Sequence, residues 1–406
     1  MIPVAPYENG QINNPPMAYD SVDQISQESF GDSNLVVPAL NWDSSWLGAD
    51  GSYSIQLPNG EVAWFYSDTY YGNYNKDGTA SNVPTTPIRN SFVLQESATS
   101  QVKHSVFVGG QVGQAYFQAN SQCSEGTFFW VIAAHLKSSS DLQVFLSTES
   151  IVNYVPDQVG TCIADIDLSS LGSTPTYTDI TSKAMINSSN LCSGNSQKAL
   201  FGESALTTYV STTQYTYIYG VATCGFDTYE YAARVSGTDL TSSWSYFTGS
   251  STCSSQTNSF SSSSPTPLCD NESGTAYVYG GGEESVVLDG GAYRLVSSWD
   301  NIFNIYLATS SSPVGPFTVL AKVSGEQSSS FPTFEGQSVS PYNTTPVSGC
   351  ALGGYNAKEH PELESSGNIV ISYNVNAFGC SGSPFTDNVE NYRPRFVVMS
   401  GSQLYS

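Results

Sequence analysis

Asn59-Gly60 is the tightest local constraint in this 406-residue chain. Asn-Gly readily adopts the pair of positive φ angles that a two-residue hairpin turn requires, and here it separates two runs rich in aromatic and β-branched residues. If Pro58 faces Glu61, then Leu57 faces Val62. Stepping outward along the pair brings Asp50 within one residue of facing Asp68, at the open end of the hairpin. Facing side chains sit about 5 Å apart at Cβ, and two carboxyls that close hinder each other's ionisation. Such a pair can divide acid and base roles between its members. The same residues have a plainer use, with Asp50 opening an Asp-Gly turn and Asp68 ending a strand.

The rest of the chain repeats this theme. Strand-like runs follow one another at short intervals from about residue 41, and amphipathic helical periodicity is scarce, so the class is all-β. A second unit opens at Arg89-Asn90-Ser91 and includes Thr127–Ile132 and Leu142–Leu146. A third starts near Glu203 and runs through Tyr215–Gly220 and Tyr231–Val235 to Trp244. The fourth opens with Glu283-Glu284, turns on Gly290-Gly291 and continues through Asn304–Thr309. The fifth opens with His360-Pro361-Glu362 and ends in Arg395–Met399. Five antiparallel units in sequence predict a five-bladed β-propeller over residues 41–406. Residues 1–40, rich in Pro, Asn and Gln, read as a mostly irregular N-terminal arm.

Each unit's first strand is introduced by a polar or charged group: Asp50, Arg89 with Asn90, Glu203, Glu284, and His360 with Glu362. In a propeller the first strand of every blade lines the central channel, so these openings are expected to converge on one mouth. Acidic groups gathered in a concave site point to catalysis. Trp46 and Tyr70-Tyr71 add flat rings beside the carboxylates, suited to stacking on the C–H face of a sugar or, equally, to packing at strand ends.

Composition narrows the partners. Twelve Lys and Arg stand against 35 Asp and Glu, a formal net charge of −23. That surface repels phosphate backbones and anionic lipid, so neither nucleic acid nor membrane is expected. The eight cysteines include no C-x-x-C pair, and their wide spacing reads as disulfides formed in an oxidising, extracellular compartment. Short loops favour local pairs: Cys253 with Cys269, Cys350 with Cys380, Cys123 with Cys162, and Cys192 with Cys224. Sequons at Asn187, Asn271 and Asn343 agree with secretion. No cofactor is expected. A channel Ca²⁺ would suit carboxylate and carbonyl oxygens, but no Asp-rich calcium loop is present.

The segments Trp46-x-Gly48-Ala49-Asp50-Gly51, Phe65-Tyr66-Ser67-Asp68-Thr69, Arg89-Asn90-Ser91, Glu284-Ser285-Val286, Gly315-Pro316-Phe317 and His360-Pro361-Glu362 resemble the five-bladed propeller proteins related to bacterial endo-D-arabinanases. The resemblance covers roughly residues 40–400. It implies a glycoside hydrolase-like fold with its site at the channel mouth and Asp50 and Asp68 as the catalytic pair. The expectation is then a secreted hydrolase of an arabinan-like or related polysaccharide. Asp50 would be the base, Asp68 the acid or a modulator of its partner's ionisation, and Glu284 a third carboxylate able to replace either. Trp46, Arg89, Asn90, Glu203, His360, Glu362 and Arg393 are candidate substrate binders. A non-catalytic carbohydrate-binding or structural extracellular propeller is the alternative, because fold alone does not decide activity. Counting across Ser366-Gly367 sets His360 opposite Tyr373 and on the same face of the domain as Asp50 and Asp68.

Overall fold

The computed structural model describes residues 46–400 apart from 75–78, 98–102, 108–113, 124–125, 153–154, 172, 193–194, 225–226, 250–257, 270–282, 300–303, 324–332, 335–336, 339–350, 365–367, 379–391 and 393. The chain is all-β, with consecutive antiparallel sheets in the up-and-down order of a β-propeller. The one α-helix among the described residues is the four-residue Thr181–Ala184. The expected arm, residues 1–40, lies outside the described residues, as do Arg393, Asn271 and Asn343.

The chain divides into two compact units. Unit 1 comprises Met1–Gln118, Asp300–Asn304 and Val323–Ser406; unit 2 comprises Ala119–Trp299 and Ile305–Lys322.

Unit 1 is built on the long hairpin. Its strands Tyr53–Gln56 and Val62–Tyr66 pair in the register Gln56↔Val62 to Tyr53↔Phe65, one residue away from the register expected for a two-residue turn. The cause lies at the turn. Leu57 N donates to Glu61 O and Gly60 N to Leu57 O, and Gly60 takes φ +91°. Pro58-Asn59-Gly60 is therefore a three-residue loop with glycine at its left-handed position. Beyond a break at residues 50–52 the hairpin resumes, with Trp46–Ala49 paired to Thr69–Tyr71. Ser91–Gln95 and Lys103–Phe107 complete the first sheet.

A second sheet of unit 1 is formed by Ala351–Glu359, Asn368–Phe378 and Arg395–Ser400. One apolar cluster joins the two sheets, with Trp46, Val62, Trp64, Tyr66 and Val93 from the first and Val370 and Phe396 from the second. Leu363, from the turn of 3-10 helix Pro361–Leu363, completes it. Here the register also departs from expectation. His360 N donates to Val370 O, and Glu359 pairs with Ile371, so His360 faces Val370 and not Tyr373. The helical turn consumes the residues that a direct hairpin count assigns to strand, and Pro361 starts it because its fixed φ suits a first helical position.

Unit 2 holds three meander sheets: Phe128–Leu136 to Thr176–Asp179, Met185–Cys192 to Phe260–Ser261, and Glu284–Asp289 to Thr318–Val323. The first is stapled by Cys123–Cys162, Cα–Cα 5.9 Å, one of the expected bridges. Cys269 is also disulfide-bonded; its expected partner Cys253, like Cys350 and Cys380, lies outside the described residues. Cys192 and Cys224 end strands whose last side chains are likewise not described, and Asn187 falls in the strand Met185–Cys192.

Candidate active site

The break in the long hairpin positions the first two carboxylates. Asp50 and Asp68 face each other where the paired segments bend: Asp50 N donates to Asp68 O (3.2 Å) and Ser67 N donates to Asp50 O (2.8 Å). Direct opposition puts both side chains on one face. The bend is made by the two residues after Asp50, which both have positive φ, +87° at Gly51 and +50° at Ser52. A Cβ on Gly51 would meet Ser67 N at 3.0 Å, so this backbone approach needs glycine. Ser52 in the left-handed region costs about 1–2 kcal/mol, partly offset by the bond from its Oγ to Asn374 Oδ1 (2.9 Å). Strain held in place by surrounding structure is a recurrent companion of functional sites.

The two carboxylates have different company. Arg89 Nη1 lies 3.1 and 3.0 Å from the two oxygens of Asp68, a charge-assisted contact that suits an anion. Asp50 accepts the Tyr355 hydroxyl on Oδ2 at 2.9 Å, and the Tyr392 phenol lies close enough to feel its charge. Burial first, then Asp50, hold the Tyr392 phenol well above its ordinary pKa. Tyr70, whose ring meets that of Tyr392 edge-on at 5.3 Å, is raised by burial and then by Asp68 and Asp50, with Arg89 opposing. Asp50, Asp68, Tyr70 and Tyr355 are each partly exposed, so the cluster has access to solvent.

Other expected site residues are spent on structure. Trp46 is fully buried in the core cluster against Tyr66, so its ring is not offered to a ligand. Asn90 is buried and holds the Phe117 backbone with both amide atoms, at 3.0 and 2.7 Å. His360 is 1% exposed, with its ring 5.0 Å from that of Trp64. Its Nε2 meets Ser372 Oγ at 2.6 Å, its Nδ1 meets Ser54 Oγ, and Ser54 Oγ donates to Glu362 Oε1. With Ser54 donating to Glu362, the Nδ1–H tautomer lets His360 donate to Ser54 and accept from Ser372 at Nε2. This relay ties the strand Tyr53–Gln56 to the second sheet. His360 and Glu362 thus reach the first hairpin at Ser54, beyond the bend that follows Asp50.

Glu203 and Glu284 belong to unit 2, where they meet a carboxyl that sequence reasoning missed. Glu230 is fully buried; burial first, then the neighbouring Glu284 and Glu203 carboxyls, raise its pKa well above the usual carboxylate range. Burial and neighbouring carboxyls thus favour the protonated form of Glu230. The available signal was the Tyr229-Glu230-Tyr231 alternation in the strand Asp227–Ser236, a charged residue amid apolar strand positions. Nothing local marks Tyr355 or Tyr392, about 300 residues from Asp50 in sequence. Among the described residues no group of three or more His, Cys, Asp or Glu is arranged to hold a metal ion.

Residues 39–401 match the model of a domain of unknown function, DUF5005. No curated protein matches the sequence. Among solved structures, a candidate hydrolase from Bacteroides ovatus aligns with TM-score 0.62 at 17% identity, over 90% of this chain and 89% of that one. A GH43 enzyme from Xanthomonas citri complexed with xylotriose aligns with TM-score 0.43 at 10% identity, over 90% of each chain. An α-L-arabinanase from Cellvibrio cellulosa complexed with arabinohexaose gives 0.41 at 8%, over 86% and 91%. The first of these supports the fold; the other two are more distant.

Proposed function

The chain belongs to the DUF5005 family, and we propose that it is a secreted glycoside hydrolase working from the Asp50 and Asp68 pair on a polysaccharide, an arabinan-like or related glycan. One observation carries the reading: two carboxylates directly opposed at a strained, solvent-reaching break in a rigid hairpin, each with a different set of partners. Hydrolysis of a glycosidic bond with inversion needs one carboxylate to activate water while a second group protonates the leaving oxygen. Asp50 suits the base. Its phenol partner Tyr355 donates to the charged form without neutralising it. Asp68 is the second group: it protonates the leaving oxygen as the acid or, held by Arg89, modulates the ionisation of Asp50 while another group donates that proton. Tyr70 is a partly exposed ring next to Asp68 able to stack on a sugar, whereas Tyr71 packs against the core cluster. The Cys123–Cys162 bridge supports an oxidising compartment, and the five-blade count remains part of this proposal.

The test is release of new reducing ends from a panel of arabinans, galactans and glucans. Cleavage of at least one by the wild type, lost in Asp50→Asn with the fold retained by circular dichroism, is expected. Glycan binding without product would favour the carbohydrate-binding reading, and full activity in Asp50→Asn would remove that residue from the mechanism.

A further inference from the structure

The two phenols at Asp50 are absent from every sequence motif, yet the backbone around them is shaped as specifically as the backbone around the carboxylate. Tyr355 stands directly opposite Asn374 in the second sheet of unit 1, and Asn374 is the residue that accepts the Ser52 hydroxyl. Immediately after Tyr355 the strand is irregular: Asn356 has φ +56°, and the pairing register shifts between Tyr355 and Lys358. Irregularities of this kind re-aim a side chain. Two left-handed residues, Ser52 on one strand and Asn356 on another, thus flank the single contact between Asp50 Oδ2 and Tyr355 Oη. Tyr392 comes from the segment that precedes Arg395–Ser400 and lies close enough to the same carboxyl for its charge to raise the phenol's pKa. Its ring meets that of Tyr70 edge-on.

We propose that Tyr355, with Tyr392 beside it, is a positioning residue that holds the Asp50 carboxylate in one rotamer and in its ionised form for the activation of water. The proposal rests on the hydrolase reading given above and adds the devices that make one carboxylate of the pair the base. A carboxylate offers about four acceptor sites, so the Tyr355 phenol leaves room for a water. Neutral donors stabilise the anion while leaving its full charge in place; the guanidinium on Asp68 cancels that charge. Two opposed aspartates are thereby given two roles by their partners.

Tyr355→Phe decides the matter, because it keeps a partly exposed ring and removes one hydroxyl; Tyr392→Phe is read beside it. The first measurement needs no substrate. The ¹³C-carboxyl resonance of Asp50, identified by its disappearance in Asp50→Asn, is titrated in wild type and variants. Its midpoint is expected to move to higher pH in Tyr355→Phe, and further in the double variant. The second measurement is kcat and KM across pH on whichever glycan is cleaved. A roughly tenfold loss of kcat on the acid side is expected, about one unit of midpoint shift, with the acid limb displaced by the same amount as the NMR midpoint and KM little changed. An unmoved Asp50 midpoint in a folded Tyr355→Phe overturns the proposal. A moved midpoint in a protein that cleaves no glycan leaves the positioning intact and overturns the hydrolase reading instead.

Discussion

The two carboxyl clusters of this protein use the same functional group in opposite ways. In unit 1, Asp50 and Asp68 are partly exposed and each meets a donor, a phenol in one case and a guanidinium in the other. In unit 2, Glu203, Glu230 and Glu284 are buried, and the charges of Glu284 and Glu203 act on Glu230. A carboxyl surrounded by donors is stable as an anion, whereas one surrounded by its own kind in a dry interior keeps its proton. Chemistry that needs a base at neutral pH belongs to the first arrangement. The second is a proton store locked inside a sheet.

The comparison breaks most decisively if Asp50 is dispensable. Asp50→Asn is nearly isosteric, retains the capacity to meet Tyr355, and is expected to lower kcat on the cleaved glycan by about 10³-fold or more, the upper part of the range for a positioned acid–base group. Thermal melting of the variant should stay near that of the wild type. Activity within tenfold of wild type would place the two clusters in the same, structural, category.

Arg89→Met tests the difference in partners directly. It removes the cation from Asp68 and leaves a carboxylate beside Asp50 with nothing to offset its charge, which moves unit 1 toward the condition of unit 2. Roughly a 100-fold loss of kcat/KM is expected, with the pH optimum displaced upward because Asp50 then ionises against an uncompensated neighbour. The effect on stability should be small, since the pair is partly solvated, with about a quarter of the Arg89 side chain exposed. Loss of activity with an unchanged pH profile would mean that Arg89 contacts substrate and does not tune the pair.

What was legible in the sequence follows the range of the interactions. The all-β class, the long hairpin and the opposition of Asp50 to Asp68 come from alternation and turn chemistry, which act over a few residues, and they hold even though the turn is one residue longer than Asn-Gly suggested. The Cys123–Cys162 bridge joins positions 39 apart in sequence and was also within reach. Trp46 and Asn90 misled because the types suited to sugar binding are the same types that fill cores and clamp loops, and only burial separates the two uses. His360 was placed on the right strand neighbour but at the wrong rung, since a 3-10 turn at Pro361 cannot be distinguished from extended chain by counting. Tyr355, Tyr392 and Glu230 act through tertiary contacts with partners tens to hundreds of residues away, and no local pattern encodes those.

The smallest expected effect concerns the buried cluster, and its sign depends on pH. Glu230 has a folded-state pKa raised above its unfolded value, so its contribution to stability is fully present below about pH 4.5 and is lost as pH rises toward the folded value. His135, in the same unit, works in the other direction. It is buried and bonded to Thr238 O at 3.1 Å, and burial lowers its pKa from 6.5 to about 4. Its contribution is present above pH 6.5 and is lost as pH falls toward 4, by up to about 3 kcal/mol at about 1.4 kcal/mol per unit. From pH 4.5 upward the two slopes oppose each other for as long as both groups titrate. Wild-type protein should therefore change little in urea midpoint across mild acid and lose stability on the alkaline side. Glu230→Gln, which can donate to Glu284, removes one slope: the variant should gain on the order of 1 kcal/mol over wild type at pH 8 and fall more steeply than wild type between pH 6.5 and 4.5. Urea unfolding at half-unit intervals from pH 4 to 8 measures both. If Glu230→Gln instead loses stability at pH 8, Glu230 is held as an anion by a partner, and the contrast between the two clusters fails.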